Sequence, residues 1–77
     1  MSNQTVGSWI EEFIFSNPEW EEKLGPGKEN NAVDLLKEIR DTGDMNMLSP
    51  DVWQILFVAF SLTEDKAKEL HKSWIKY

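Results

Sequence analysis

His71 is the only histidine in the chain, and it sets the limit on acid–base chemistry. Histidine catalysis needs a nucleophile to deprotonate or a carboxylate to orient the ring. On a helix His71 falls between Ala67 and Trp74, on the apolar side, where no sequence neighbour supplies either group. The residue reads as a partly buried structural histidine. Oxygen ligands cluster once, in DTGDMNMLSPD (41–51), through Asp41, Asp44, Asn46 and Asp51. A calcium loop wants Asx at alternate positions, glycine at the sixth and glutamate at the twelfth, and here methionines interrupt and the glycine is misplaced. Asp44 and Asn46 read as turn formers instead. There is no cysteine, so disulfides and thiolate zinc cages are excluded and a reducing cytoplasm is the expected compartment. No Gly-rich phosphate loop, nucleophile elbow, metal-ligand cluster or paired-carboxylate motif is present. The expectation is a chain that is not an enzyme and carries no cofactor or metal.

Charge is the stronger signal. The net charge of −6 is unevenly placed. Residues 1–51 hold eleven acids against Lys23, Lys28, Lys37 and Arg40, whereas residues 52–77 hold Glu64, Asp65 and Glu69 against four lysines. Glu11, Glu12, Glu19, Glu21 and Glu22 stand in the first 22 residues with no base among them. Such a lobe repels nucleic acid and anionic membrane and favours a basic partner. On the first helix Ser8, Glu11, Glu12 and Phe15 lie opposite Trp9, Ile10 and Phe13. Phe15 is expected to pack in the core against Trp20 or Leu24. The alternative is an exposed aromatic anchor, with Glu11, Glu12, Glu19 and Glu22 as an acidic rim that steers a basic partner. Solubility is the plainer account of those acids.

Lys68, Lys72 and Lys76 form an i, i+4, i+8 ridge that invites comparison with a DNA-recognition helix. Phosphate contact needs a net positive surface, and base reading needs arginine or asparagine. Glu64, Asp65 and Glu69 flank the ridge, and the chain's one arginine, Arg40, lies elsewhere. Pairing of Lys68 with Glu64 and Asp65 accounts for the ridge as a solvated face.

These residues are positioned by short helices. Ser8 with Glu11 three residues on makes a capping box, with Thr5 as an earlier start, and Val6, Trp9, Ile10, Phe13 and Ile14 recur at helical spacing. Asn17 as cap and Pro18 at the first position start a short second helix over 18–24. GPG (25–27) is the clearest break. Asn30 or Asn31 caps a third helix over 31–42, with Ala32, Leu35, Leu36 and Ile39 on one stripe and Gly43 at its end. Met45, Met47 and Leu48 tuck against the core. Ser49, Pro50 and Asp51 are a cap, a first-position proline and a first-turn acid. They start a helix over about 50–61 whose residues Val52 to Phe60 contain a single polar side chain, Gln54. The rival, a buried strand, lacks a second strand to pair with. Thr63 caps the last helix, with Leu62 and Ala67 as a staple and Ala67, Leu70, Trp74 and Ile75 or Tyr77 as its apolar face.

At 77 residues this is one domain, with roughly 60% of its unfolded surface buried at most. The predicted architecture is all-α: a single-domain bundle of four to five short helices over residues 1–77, around the central hydrophobic helix. Its predicted core is Trp9, Ile10, Phe13, Leu35, Leu36, Ile39, Trp53, Leu56, Phe60, Leu70 and Trp74. No basic leader precedes an apolar run, and the apolar stretches fall well short of the ~20 residues a membrane span requires.

The functional expectation is a small protein-binding regulator or inhibitor that docks on a basic, often nucleic-acid-binding, site of a larger protein. Carboxylates on rigid helices would occupy the places of phosphates, with no direct nucleic-acid or membrane contact. Small acidic proteins of phages, immunity systems and antitoxins act in this way, a likeness of composition that suggests a bacterial or phage source. The alternative is a structural helical subunit or homodimer that hides the apolar surface of 52–60. A DNA-binding module using the lysine ridge ranks third.

Overall fold

Ser49 and Pro50 open the helix on which the rest of the molecule is built. In the computed structural model, which describes residues 6–43 and 45–75, Ser49 is extended and its Oγ accepts from the Asp51 N–H at 3.2 Å. This satisfies one of the amides a helix start leaves unpaired. Pro50 takes the first position, where its missing N–H costs nothing. The helix closes at Ser61 in the left-handed conformation, φ 53°, and the Leu62 N–H donates to the Phe57 carbonyl at 3.1 Å. That i to i−5 bond is the mark of a Schellman close.

The described residues form four α-helices, α1 (Val6–Ser16), α2 (Ala32–Thr42), α3 (Pro50–Phe60) and α4 (Glu64–Ile75), and contain no strand. The all-α reading holds and the strand alternative falls. α3 is central, packing on α1, α2 and α4. Val52, Ile55, Leu56 and Phe60 of α3 are almost wholly enclosed, and they meet Trp9, Ile10 and Phe13 of α1 and Leu35, Leu36 and Ile39 of α2 in one cluster. Ala32, Ala59 and Ala67 are buried in it as well. No helix is long and apolar enough to cross a membrane among the described residues.

Several expected details differ. α1 is already helical at Val6, so Ser8 lies inside it and does not cap; starting there adds partly buried Val6 to the apolar face. The alternative start at Thr5 lies outside the described residues. The helix expected over 18–24 is a single 3-10 turn, Pro18–Glu21. With Pro18 at its start and Gly25 close behind, too few residues remain to offset the cost of nucleating an α-helix. Asn17 does not cap that turn. Its side-chain Nδ2 donates back to the Phe13 carbonyl at 3.0 Å and closes α1.

Asn31 likewise makes no cap bond. Its backbone is not extended, a Glu29–Asn31 3-10 turn leads into α2, and its Nδ2 donates to the Lys23 carbonyl at 3.0 Å. The break at 25–27 is anchored by the Gly25 N–H, which donates to the Ala59 carbonyl at 2.7 Å. Gly25 holds φ 115° there, a value open to glycine and strained for other residues. Gly43 ends α2 with φ 68°, as the helix-stop reading requires. Thr63 Oγ1 accepts from the Lys66 N–H at 3.2 Å, the expected cap of α4.

Trp53, Leu70 and Trp74, expected in the core, are only half-buried against it, while Trp20, which was not, is sealed. The reason is cover: Lys68 Nζ lies 4.9 Å from the Trp53 ring centroid and the Arg40 guanidinium 5.9 Å from that of Trp74. These two indoles sit at the edge of the bundle under cationic stems rather than under another helix.

Candidate functional site

Phe13 and Phe15 are two residues apart on α1 and point to opposite fates. At 100° per residue they are turned about 160° from each other. α3 covers the face that carries Trp9, Ile10 and Phe13, and on the other side Glu11, Glu12 and Phe15 are exposed. Phe13 stacks on Trp9, with ring centroids 5.1 Å apart and planes 10° apart. Trp20 from the 3-10 turn closes on the same ring at 5.5 Å. Phe15 is therefore left without the expected partner. It is 88% exposed, and its predicted packing against Trp20 or Leu24 is overturned because Trp20 is already seated on Phe13.

The acidic rim follows from the same helix. Glu11 and Glu12 precede Phe15 by four and three residues, the spacings that make neighbours on a helix surface, and both are exposed. Glu19, Glu21 and Glu22 continue the acid along and just after the Pro18–Glu21 turn, all exposed. The nearest bases are held to one side. Lys23 Nζ sits 5.0 Å from the Trp20 ring centroid, and Lys28 Nζ donates to the main-chain carbonyl of Glu22. Among the described residues Glu11 and Glu19 take no ion-pair partner. The site is a ridge: one aromatic ring standing in solvent, carboxylates beside it, and a packed helix beneath. Among the described residues it sets carboxylates around one exposed ring, an arrangement suited to contact and steering.

The other candidates resolve differently. His71 is buried and its Nε2 donates to the Met47 carbonyl oxygen at 2.6 Å. A carbonyl only accepts, so the ring carries its proton on Nε2 and serves to fasten the 45–49 segment to α4. Asn46 forms the expected turn, its Oδ1 accepting from the Leu48 N–H at 2.8 Å; Asp44 lies outside the described residues. No group of three His, Asp or Glu side chains comes together as a metal site among the described residues. On α4, Lys68 pairs with Glu64 at 3.4 Å and not with Asp65; Lys76 lies outside the described residues. Lys72 is exposed beside Lys68. Met45 and Met47 pack against the core as expected, but Leu48 stays exposed.

Of two further surfaces, one had no sequence forewarning and the other was anticipated as the apolar surface of 52–60. Arg40, Met47, Leu48, Trp74 and Ile75 line an open cleft of about 340 Å³. It draws on α2, the 45–49 segment and α4, which no local spacing could join. On α3, Phe57 and Val58 are 40% and 49% exposed, with Trp53 edge-on to Phe57 at 6.4 Å between ring centroids. Gln54 and Ser61, seven residues apart, fall in the middle of that face. The chain matches no family model, no curated protein and no solved structure.

Proposed function

We propose that this chain is a small protein-binding regulator or inhibitor that uses the outer ridge of α1 to dock on the basic site of a larger protein. The observation that carries the reading is Phe15, 88% exposed in the middle of an acidic ridge. A buried-to-be aromatic with a charged rim is the arrangement from which interface hot spots are made. Phe15 would enter an apolar notch on the partner. Glu11, Glu12, Glu19 and Glu22 would face its lysines and arginines, raising the encounter rate and fixing the approach. A site evolved to grip phosphates offers that chemistry, so occlusion of a nucleic-acid-binding surface is the favoured mode of action. The absence of cysteine suits a reducing cytoplasm for this work.

The test is capture from lysate of the source cell, followed by affinity measurement with the protein so identified. Wild type should bind with an affinity that falls as salt rises. Reversal of Glu11, Glu12, Glu19 and Glu22 to lysine should abolish capture with helicity intact, and Phe15→Ser should weaken it by ten-fold or more, the effect of losing an anchor worth about 1.4 kcal/mol or above. A charge-reversed protein that folds and still retains its partner would end the acidic-docking mechanism.

A further inference from the structure

The outward face of α3 is unlike any other helix face in the molecule. From Val52 to Leu62 the chain has no charged residue, and the part of that run left open to solvent is Phe57, Val58 and Ser61, with half-buried Gln54 between them and the Trp53 ring at the edge. By contrast α1 shows Glu11 and Glu12 outward, α2 shows Asp34, Lys37 and Asp41, and α4 shows Asp65, Lys66, Glu69 and Lys72. We propose that this uncharged α3 face is the contact through which two copies of the chain associate.

Charge selects the occupant. Each copy carries −6, so two copies repel on approach, most strongly where the acidic outer faces of α1 meet. A two-fold contact repeats each residue against its own kind near the axis. A charged residue there would meet its like, whereas Phe57, Val58 and Gln54 would meet apolar surface and an amide that both donates and accepts. Around this centre the charges are already neutralised or set aside: Lys68, over the Trp53 ring, is paired with Glu64, and Asp51 stands at the far end of the helix in its first turn. A basic partner of the kind that suits the α1 ridge gains nothing from a face without acids. α1 and the open face of α3 are separate surfaces, so the pairing leaves Phe15 free and a dimer would present two acidic ridges.

The patch is small. Three large side chains, each partly covered, bury less than the roughly 800 Å² per partner of a standard stable interface, so association belongs at high concentration, with a dissociation constant on the order of 100 μM.

Sedimentation equilibrium tests this from about 10 μM to about 1 mM, the range in which mass action should move such an equilibrium. Wild type should rise from the 9.0 kDa of one chain toward twice that mass. Raising salt from about 50 to 500 mM should tighten the association several-fold, because screening weakens the repulsion between two anions while the contact itself is uncharged. Phe57→Glu should stay monomeric throughout, and Phe15→Ser should associate like wild type. If Phe57→Glu loses helicity, Val58→Lys gives the same readout from a half-exposed position. Three results would overturn the proposal: a wild-type mass that stays at one chain up to the top concentration, association undiminished in folded Phe57→Glu or Val58→Lys, or association abolished by Phe15→Ser. Binding of monomeric wild type to phosphatidylcholine vesicles, with no rise in mass without them, would also overturn it and assign the face to lipid.

Discussion

Phe13 and Phe15 offer a matched pair of truncations on one helix, with opposite expected consequences. Phe13 is 6% exposed and sits between Trp9 and Trp20. Its replacement by alanine removes the ring, leaves a void that three helical segments cannot close, and loses two aromatic contacts, for about 3–5 kcal/mol. A domain of this size is stable by about 4–12 kcal/mol in all, so Phe13→Ala removes between a quarter and the whole of it. With a urea slope of about 1 kcal/mol/M the midpoint falls by roughly 3–5 M.

Phe15→Ala removes the same atoms from solvent rather than from the core. The transfer and cavity losses vanish, and alanine is the better helix former by about 0.5 kcal/mol. The urea midpoint should therefore move by no more than about 0.5 M, in either direction. Urea titration followed by circular dichroism and by tryptophan fluorescence checks both variants, since Trp9 and Trp20 border Phe13. If Phe15→Ala cost more than about 1.5 kcal/mol, well outside the range of ordinary surface changes, Phe15 would be packed within its own molecule. The anchor reasoning would then have lost its foundation.

Other substitutions test the rest of the frame. Phe60→Ala, at a side chain 1% exposed, should cost about 3–5 kcal/mol, and Trp53→Ala, half-covered by Lys68, only about 1–3 kcal/mol; equal shifts in thermal melts would show that Trp53 is core after all. Gly43→Ala places a Cβ in open space at φ 68°, so its cost is backbone strain alone, about 1–2 kcal/mol. Ser61→Gly should move the other way, raising stability by about 0.5–1 kcal/mol through relief of φ 53°. His71→Leu strips the Met47 carbonyl of its donor and should cost about 1–3 kcal/mol, with faster amide exchange in 45–49 as the local signature.

What was legible in the sequence was what is local. Ser49, Pro50 and Gly43 announce their helix ends because capping is chemistry between residues a few places apart, and the stripe Ala32, Leu35, Leu36, Ile39 announces its buried face because period alone decides it. Ser8 misled because a capping box can be written inside a helix that begins earlier. Asn17 and Asn31 misled because an amide side chain that can cap can also reach a carbonyl behind it, and here the Phe13 and Lys23 carbonyls won. The state of Phe15 depended on which ring Trp20 would choose across a turn, and a Pro18–Glu21 3-10 turn rather than an α-helix settled that choice in favour of Phe13. The cleft at Arg40 and Trp74 joins three segments and has no signature in any of them.

The four phenylalanines separate structural from functional demand. Phe13 and Phe60 are buried, and the core explains them. Phe57 is partly explained, since its ring sits edge-on to Trp53 and helps cover a half-buried indole. Among the described residues Phe15 touches no other ring; it sits opposite the buried face of α1, at a helix position where glutamate, lysine or alanine would form the helix better and keep the surface wetter. A single exposed apolar residue is ordinary, but an almost fully exposed aromatic, set three and four residues from two glutamates on a helix rigidly packed from behind, is placed as an anchor would be. No packing among the described residues accounts for it, and under the proposed docking the acidic ridge beside it supplies the field a basic partner would follow.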